Sequence, residues 1–151
     1  MPKSRIPSQI KSIIIERARE RCEYCQTPLD FFIDPFVTEH IIPKSQGGKS
    51  DLLNLALSCQ GCNSFKYNKT TAVDPATEIV VPLYHPRRDK FRVHFAWNED
   101  FTLLVGLTPT GRATIDQLQL NRTGVVNLRR VLFVMGDYPV DDEGNASSTK
   151  Q

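Results

Sequence analysis

The spacing of apolar positions changes several times along the chain and divides it into elements. Ile10, Ile13, Ile14 and Ala18 recur at helical spacing behind Ser8, with Glu16 and Glu20 interleaved with Arg17, Arg19 and Arg21. This predicts a helix opening at Ser8 with its apolar stripe toward a core, closed by a tight turn at residues 21–25. Residues 36–42 are rich in β-branched and apolar side chains and stop at Pro43, which reads as a strand. Residues 46–51 are a turn-forming loop around Gly47-Gly48. Residues 52–58 form a short apolar run, strand or turn, and residues 62–69 can start a short helix.

The second half reads less sharply. Pro75, Pro82 and Pro86 interrupt residues 71–90, which predicts an irregular stretch. Residues 91–97 and 101–107 flank Asn98-Glu99-Asp100 and predict a hairpin. A helix from Thr110 to Leu120 carries Ala113, Ile115 and Leu118 on one side. A second, over residues 124–135, meets Gly136 as a natural C-cap. The pattern as a whole is α+β, with an N-terminal helix and a C-terminal hairpin plus two-helix extension.

Length and composition narrow this. At 151 residues the chain has room for one domain, expected over residues 1–140 with a core motif at 22–69, an extension at 70–140 and a polar, flexible tail at 141–151. With 40% hydrophobic and 24% charged residues, a chain disordered throughout, a collagen-like chain and a coiled coil are excluded. No apolar run approaches the ~18–20 residues of a membrane span. No apolar stretch follows the positive Lys3 and Arg5, so a cytoplasmic protein is the expectation. Net charge is only +2, yet residues 1–70 hold 10 basic against 7 acidic residues, while 71–151 hold 9 against 10. The basic excess falls in the half with all four cysteines; by itself it reads as an ordinary solvated surface.

Cys22-x-x-Cys25 and Cys59-x-x-Cys62 carry the strongest local signal. A two-residue spacer lets both thiolates of a pair reach one ion, and two pairs complete a tetrahedral zinc shell. Disulfides are the alternative, but no secretory segment supports an oxidising compartment. A redox motif would leave the matched second pair unexplained. A four-thiolate zinc has no open position, so its work is structural: it clamps the start of the chain to the segment after Cys59.

Between and after the pairs come Glu39-His40-Ile41-Ile42-Pro43, Gly47-Gly48, Asn54-Leu55 and Cys59-Gln60-Gly61-Cys62-Asn63-Ser64-Phe65-Lys66. In this order and spacing, residues 22 to about 69 resemble the HNH endonucleases in their zinc-clamped, four-cysteine branch. The resemblance implies a ββα-metal motif and a metal-dependent cleavage of DNA phosphodiester bonds. It implies His40 as general base on the attacking water, and Glu39 and Asn63 as ligands of a catalytic magnesium or manganese ion. It implies Asn54 as the residue that fixes the loop and orients His40 through a backbone contact. The chemistry is consistent: a neutral imidazole takes a proton near neutral pH, and hard oxygen donors suit magnesium or manganese while thiolates select zinc. Two departures stand out, Glu39 where the family usually has Asp and Asn63 where it often has His.

Weighed residue by residue, a histidine at a strand end is more often structural, and Gly47-Gly48 alone is a turn. His85 and His94 lie outside the motif and read as surface or packing residues. Residues 81–89, 91–97, 107–114 and 120–122 resemble an extension of small bacterial HNH proteins that carries no agreed role. In it Arg87, Arg88, Lys90, Arg92, Arg112, Arg122, Arg129 and Arg130 either contact phosphates or form a solvated face. Phe95, Trp97 and Phe101 read as core. The rival functions are a non-catalytic zinc-ribbon module that binds nucleic acid and a protein-interaction domain with purely structural zinc. DNA is the expected partner, a membrane is not, and oligomeric state is left open.

Overall fold

Helix α1 (Ser8–Arg17) lays Ile14 and Ala18 against Leu55 and Leu57, and Arg17 donates to the carbonyls of Leu52 and Leu55 at 2.8 and 2.6 Å. These contacts belong to a computed structural model that describes residues 6–136. Residues 1–5, the boundary expected at 140 and the tail expected over 141–151 lie outside the described residues. After α1 the chain reverses through left-handed Arg19 and Glu20 and enters the first cysteine pair. Strands β1 (Val37–His40) and β2 (Leu55–Ser58) pair antiparallel, with Glu39 opposite Ala56 and His40 opposite Leu55. Helix α2 (Gln60–Lys66) follows at once and is N-capped by the Cys59 sulfur, which accepts from the Cys62 amide. The hairpin and the helix packed on it form the ββα unit, and the chain is α+β.

The extension differs from the pattern-based expectation in two places. Residues 71–90 are not irregular throughout, because β3 (Thr71–Val73) pairs with β4 (Val80–Pro82). Asp74 makes the turn between them: its carboxylate accepts from the Ala76 amide at 3.1 Å and the Thr77 hydroxyl at 2.8 Å. Both its oxygens are also bonded by Arg112 at 2.9 Å. Pro75 lies in that turn and Pro82 at a strand end, where a missing N–H is tolerated. Residues 91–97 are also not one strand. They divide into a helical turn, α3 (Phe91–His94), and β5 (Phe95–Trp97), which pairs with β6 (Leu104–Gly106). The reason is Tyr84, whose ring meets Phe91, His94 and Phe95 edge-on at 5.8, 6.1 and 5.3 Å. Positions i, i+3 and i+4 share a face only on a helical turn.

Helix α4 (Pro109–Leu118) is N-capped by the Thr108 hydroxyl, and α5 (Thr123–Met135) ends at left-handed Gly136 as expected. One core cluster contains the four cysteines, Tyr24, Ile41 and Ala56 together with Leu83, Tyr84, Phe95, Leu104, Leu118, Leu120 and Val125. The extension thus packs into the same interior as the motif. Among the described residues no helix is long and apolar enough to cross a membrane.

Candidate active site and metal centre

The four cysteine sulfurs are buried, unpaired by disulfides, and lie within 4.8 Å of one another. Each knuckle is shaped by amides turned onto a sulfur: Tyr24 and Cys25 donate to Cys22 Sγ and Cys62 donates to Cys59 Sγ, all at 3.4 Å. Burial, then the neighbouring sulfurs, pushes the Cys22 thiol well above its ordinary range. Four thiolates this close would repel one another, and a cation bound among them would offset that repulsion. The donor set fits tetrahedral zinc and leaves no fifth position open.

Two arginines fasten the extension to this centre. Arg122 directs Nη1 at Cys62 Sγ (3.5 Å) and Nη2 at Cys59 Sγ (3.4 Å) and lies over the Phe65 ring. Gly61 makes room for it, since a Cβ there would sit 2.6 Å from Arg122 Nη2. Arg129 is fully buried. It donates to the carbonyls of Cys25 (3.0 Å) and Thr102 (2.9 Å) and to Asn121 Oδ1 (3.0 Å), with its guanidinium over Trp97. Neither reaches outward as a phosphate contact would. Arg112 is held by Asp74, and Arg87 by Glu23, whose second oxygen takes the Leu57 amide. Half of the eight basic residues considered as phosphate contacts thus work inside the fold. Their partners are far away in sequence, which is why their spacing did not reveal this.

Glu39 and His40 leave β1 on opposite faces, as strand alternation requires. Glu39 points inward and is buried. Its Oε1 accepts from the Tyr24 hydroxyl at 2.6 Å, and its Oε2 lies 2.6 Å from Lys66 Nζ, which also donates to the Ile41 carbonyl at 2.8 Å. This contact is an ion pair, and among the described residues Oε2 has no hydrogen-bond partner. Burial raises the Glu39 carboxyl even though Lys66 and Tyr24 pull the other way. Burial and then Glu39 push the Tyr24 phenol well up, so it stays a proton donor. Asn63 sits one turn before Lys66 on the same helix, and positions three apart share a face. A buried carboxylate oxygen without a hydrogen bond, with an amide on the adjoining helix face, fits a hard divalent ion in donor type.

His40 is partly exposed, and its Nε2 lies 2.7 Å from Ser50 Oγ. Burial, then the Lys44 charge, lowers its pKa from the ordinary value, so the ring is neutral near pH 7. Asn54 staples the loop between β1 and β2. Its Oδ1 accepts from the Ile42 amide, its Nδ2 donates to the carbonyls of Ile42 and Lys49, and its own carbonyl accepts from Ile41, all at 2.9 Å. Gly48 is required there, because a Cβ would collide with the Ile42 carbonyl oxygen and lie 2.8 Å from Asn54 Nδ2. The contact that Asn54 makes on this side is to the backbone beside His40, and the imidazole is held by Ser50.

Outside the motif, His94 Nδ1 meets Thr108 Oγ1 at 2.6 Å, and His85 Nδ1 accepts from the amides of Arg87 and Arg88 at 3.2 Å. Both work within the extension. Tyr24 and Ser50 are site residues that residue-by-residue reading did not single out, while Lys66 entered only within the motif and Arg122 only as one of eight basic residues. Lys66 and Tyr24 had a signal: each lies in a motif segment, at i+3 from Asn63 and inside the first knuckle. Residues 22–69 match the family model described as HNH endonuclease, which covers all four cysteines, Glu39, His40, Asn54 and Asn63. The match spans residues 22–69, about a third of the chain. No curated protein and no solved structure matches the chain.

Proposed function

We propose that the HNH domain of this chain makes it an endonuclease that hydrolyses DNA phosphodiester bonds with the help of a divalent ion. What carries the reading is His40, a neutral, partly exposed imidazole at the end of β1, held through one nitrogen and, among the described residues, without a hydrogen bond at the other. When Nε2–H is donated to Ser50 Oγ, Nδ1 keeps its lone pair and accepts the proton of an attacking water. The lowered pKa keeps that lone pair available at neutral pH. Asn54 holds the loop that carries Ser50 within reach of β1. Glu39 and Asn63 are the oxygen donors that would hold magnesium or manganese, which supplies charge neutralisation at the phosphate and at the leaving oxygen. The zinc clamp and Arg122 keep α2, and therefore Asn63, at a fixed distance from β1. The same reading puts the protein in the cytoplasm, where thiols stay reduced and free to bind zinc.

The buried Glu39–Lys66 pair is the one observation that favours the non-catalytic zinc-ribbon reading, since such a pair also serves structure alone. Brief treatment with a mild chelator separates the two. The nuclease loses cleavage of supercoiled plasmid while it keeps its zinc, and added magnesium or manganese restores cleavage. Asn63→Ala needs more metal for the same rescue, with unchanged zinc content. A module that only binds DNA cleaves under none of these conditions.

A further inference from the structure

Lysines are almost never fully buried unless they are paired. Lys66 is 1% exposed, and its ammonium is positioned by two groups from the end of β1, the Ile41 carbonyl and Glu39 Oε2. The carboxylate is itself immobilised, because the buried Tyr24 hydroxyl takes Oε1 at 2.6 Å. Only Oε2 is left for a cation, and Lys66 stands against it without forming a directed hydrogen bond. The same oxygen is the one carboxylate donor the proposed divalent ion has, because Asn63 offers only a neutral amide.

We propose that Lys66 is a built-in competitor for the divalent ion, its ammonium and the ion sharing Glu39 Oε2. The inference rests on the nuclease reading for the ion's role but not for its binding. A divalent ion brings twice the charge and approaches to about 2.1 Å in the case of magnesium, closer than the ammonium does. It therefore takes the oxygen once enough other ligands gather round it. Without DNA those ligands are Asn63 and water, and Lys66 keeps its place. A phosphodiester changes both sides of the exchange: its oxygens complete the ion's shell, and they offer the displaced ammonium a new anion. Metal loading is thereby tied to the presence of substrate. Any ligand whose site is already filled by a group of the protein has its affinity reduced by the fraction of open sites.

The test needs no catalysis. Lys66→Met keeps the length of the stem and removes the charge. Titration with manganese, followed by the electron paramagnetic resonance of the free ion, gives the affinity of zinc-loaded, DNA-free protein. Lys66→Met should bind one manganese about tenfold tighter than the parent, the effect of removing a like charge in contact with the site. Adding Glu39→Gln should abolish that gain. Equal or weaker binding by folded, zinc-loaded Lys66→Met overturns the proposal. Should that variant not fold, the parent protein answers by itself. Saturating manganese without DNA should raise acetylation of Lys66 severalfold by mass spectrometry, and unchanged protection overturns the proposal. Plasmid cleavage by the parent, run alongside, keeps the two readings apart. Tighter manganese binding without cleavage sinks the nuclease reading alone, and cleavage with unchanged manganese binding sinks the competitor alone.

Discussion

Arg129→Met removes a fully buried guanidinium and leaves a side chain of similar stem length. The carbonyls of Cys25 and Thr102 accept from Arg129, whereas Asn121 Oδ1 also keeps the Leu104 amide at 2.8 Å. Two buried acceptors therefore lose this donor, at about 1–3 kcal/mol each. Loss of the Trp97 contact adds about 0.5–2 kcal/mol, partly offset because the methionine thioether still packs on the ring. The terms sum to about 2.5–8 kcal/mol before that offset, with a fall in Tm of about 2–4 °C for each kcal/mol in a chain of this size. Urea unfolding at fixed zinc measures the first quantity and calorimetry the second. Arg129→Lys should recover about half of the loss, since one ammonium cannot reproduce a fork that reaches carbonyls on two elements. Zinc transfer to a chromogenic chelator should also be faster in Arg129→Met, because the Cys25 knuckle loses its tether. A loss below about 1 kcal/mol, or a lysine variant as stable as the parent, would refute the argument that this arginine locks the extension to the metal centre.

Other outcomes follow from the same contacts. Purified protein should hold one zinc per chain, and Cys59→Ser should lose zinc and fold together, as circular dichroism and metal analysis would report. Gly61→Ala should push Arg122 off the sulfurs and speed zinc release while the helix around it persists, a result read by chelator kinetics and far-ultraviolet circular dichroism. The cleavage rate should rise with pH as His40 loses its proton and level off above its lowered pKa. Removing the nearby charge with Lys44→Ala should move the midpoint to higher pH, and a midpoint that does not move would remove His40 from the profile. Asn54→Ala should cost about 2–4 kcal/mol through the orphaned Ile42 and Lys49 groups, measured by urea unfolding.

The motif half of the fold was legible because its signals are local. Two-residue cysteine spacers and a Gly-Gly turn between two short strands state their geometry within a few residues. The extension was read less well for the opposite reason. Asp74 makes its hairpin turn with help from Arg112, 38 positions away, and Tyr84 decides where strand β5 begins. Neither influence is visible in a window of ten residues. At the site, the sequence pointed to Glu39, His40, Asn54 and Asn63, but not to what holds them. Ser50 at His40, and Tyr24 and Lys66 at Glu39, are recognisable only once the hairpin and the helix are brought together. Four arginines of the extension, left open between phosphate contact and solvated face, proved to work inside the fold, since an arginine facing DNA and one facing buried carbonyls look alike in a sequence.

The proposed nuclease activity stands on His40 as the base of a phosphodiester hydrolysis. Single-turnover cleavage of a supercoiled plasmid in manganese, parent against His40→Ala, tests it most directly, with zinc content and unfolding midpoint measured on the same samples. The parent should cleave, and His40→Ala should cleave about 10²–10⁴-fold more slowly with zinc and stability retained. Equal rates in the two proteins, or no cleavage by zinc-loaded parent in either manganese or magnesium, would contradict it.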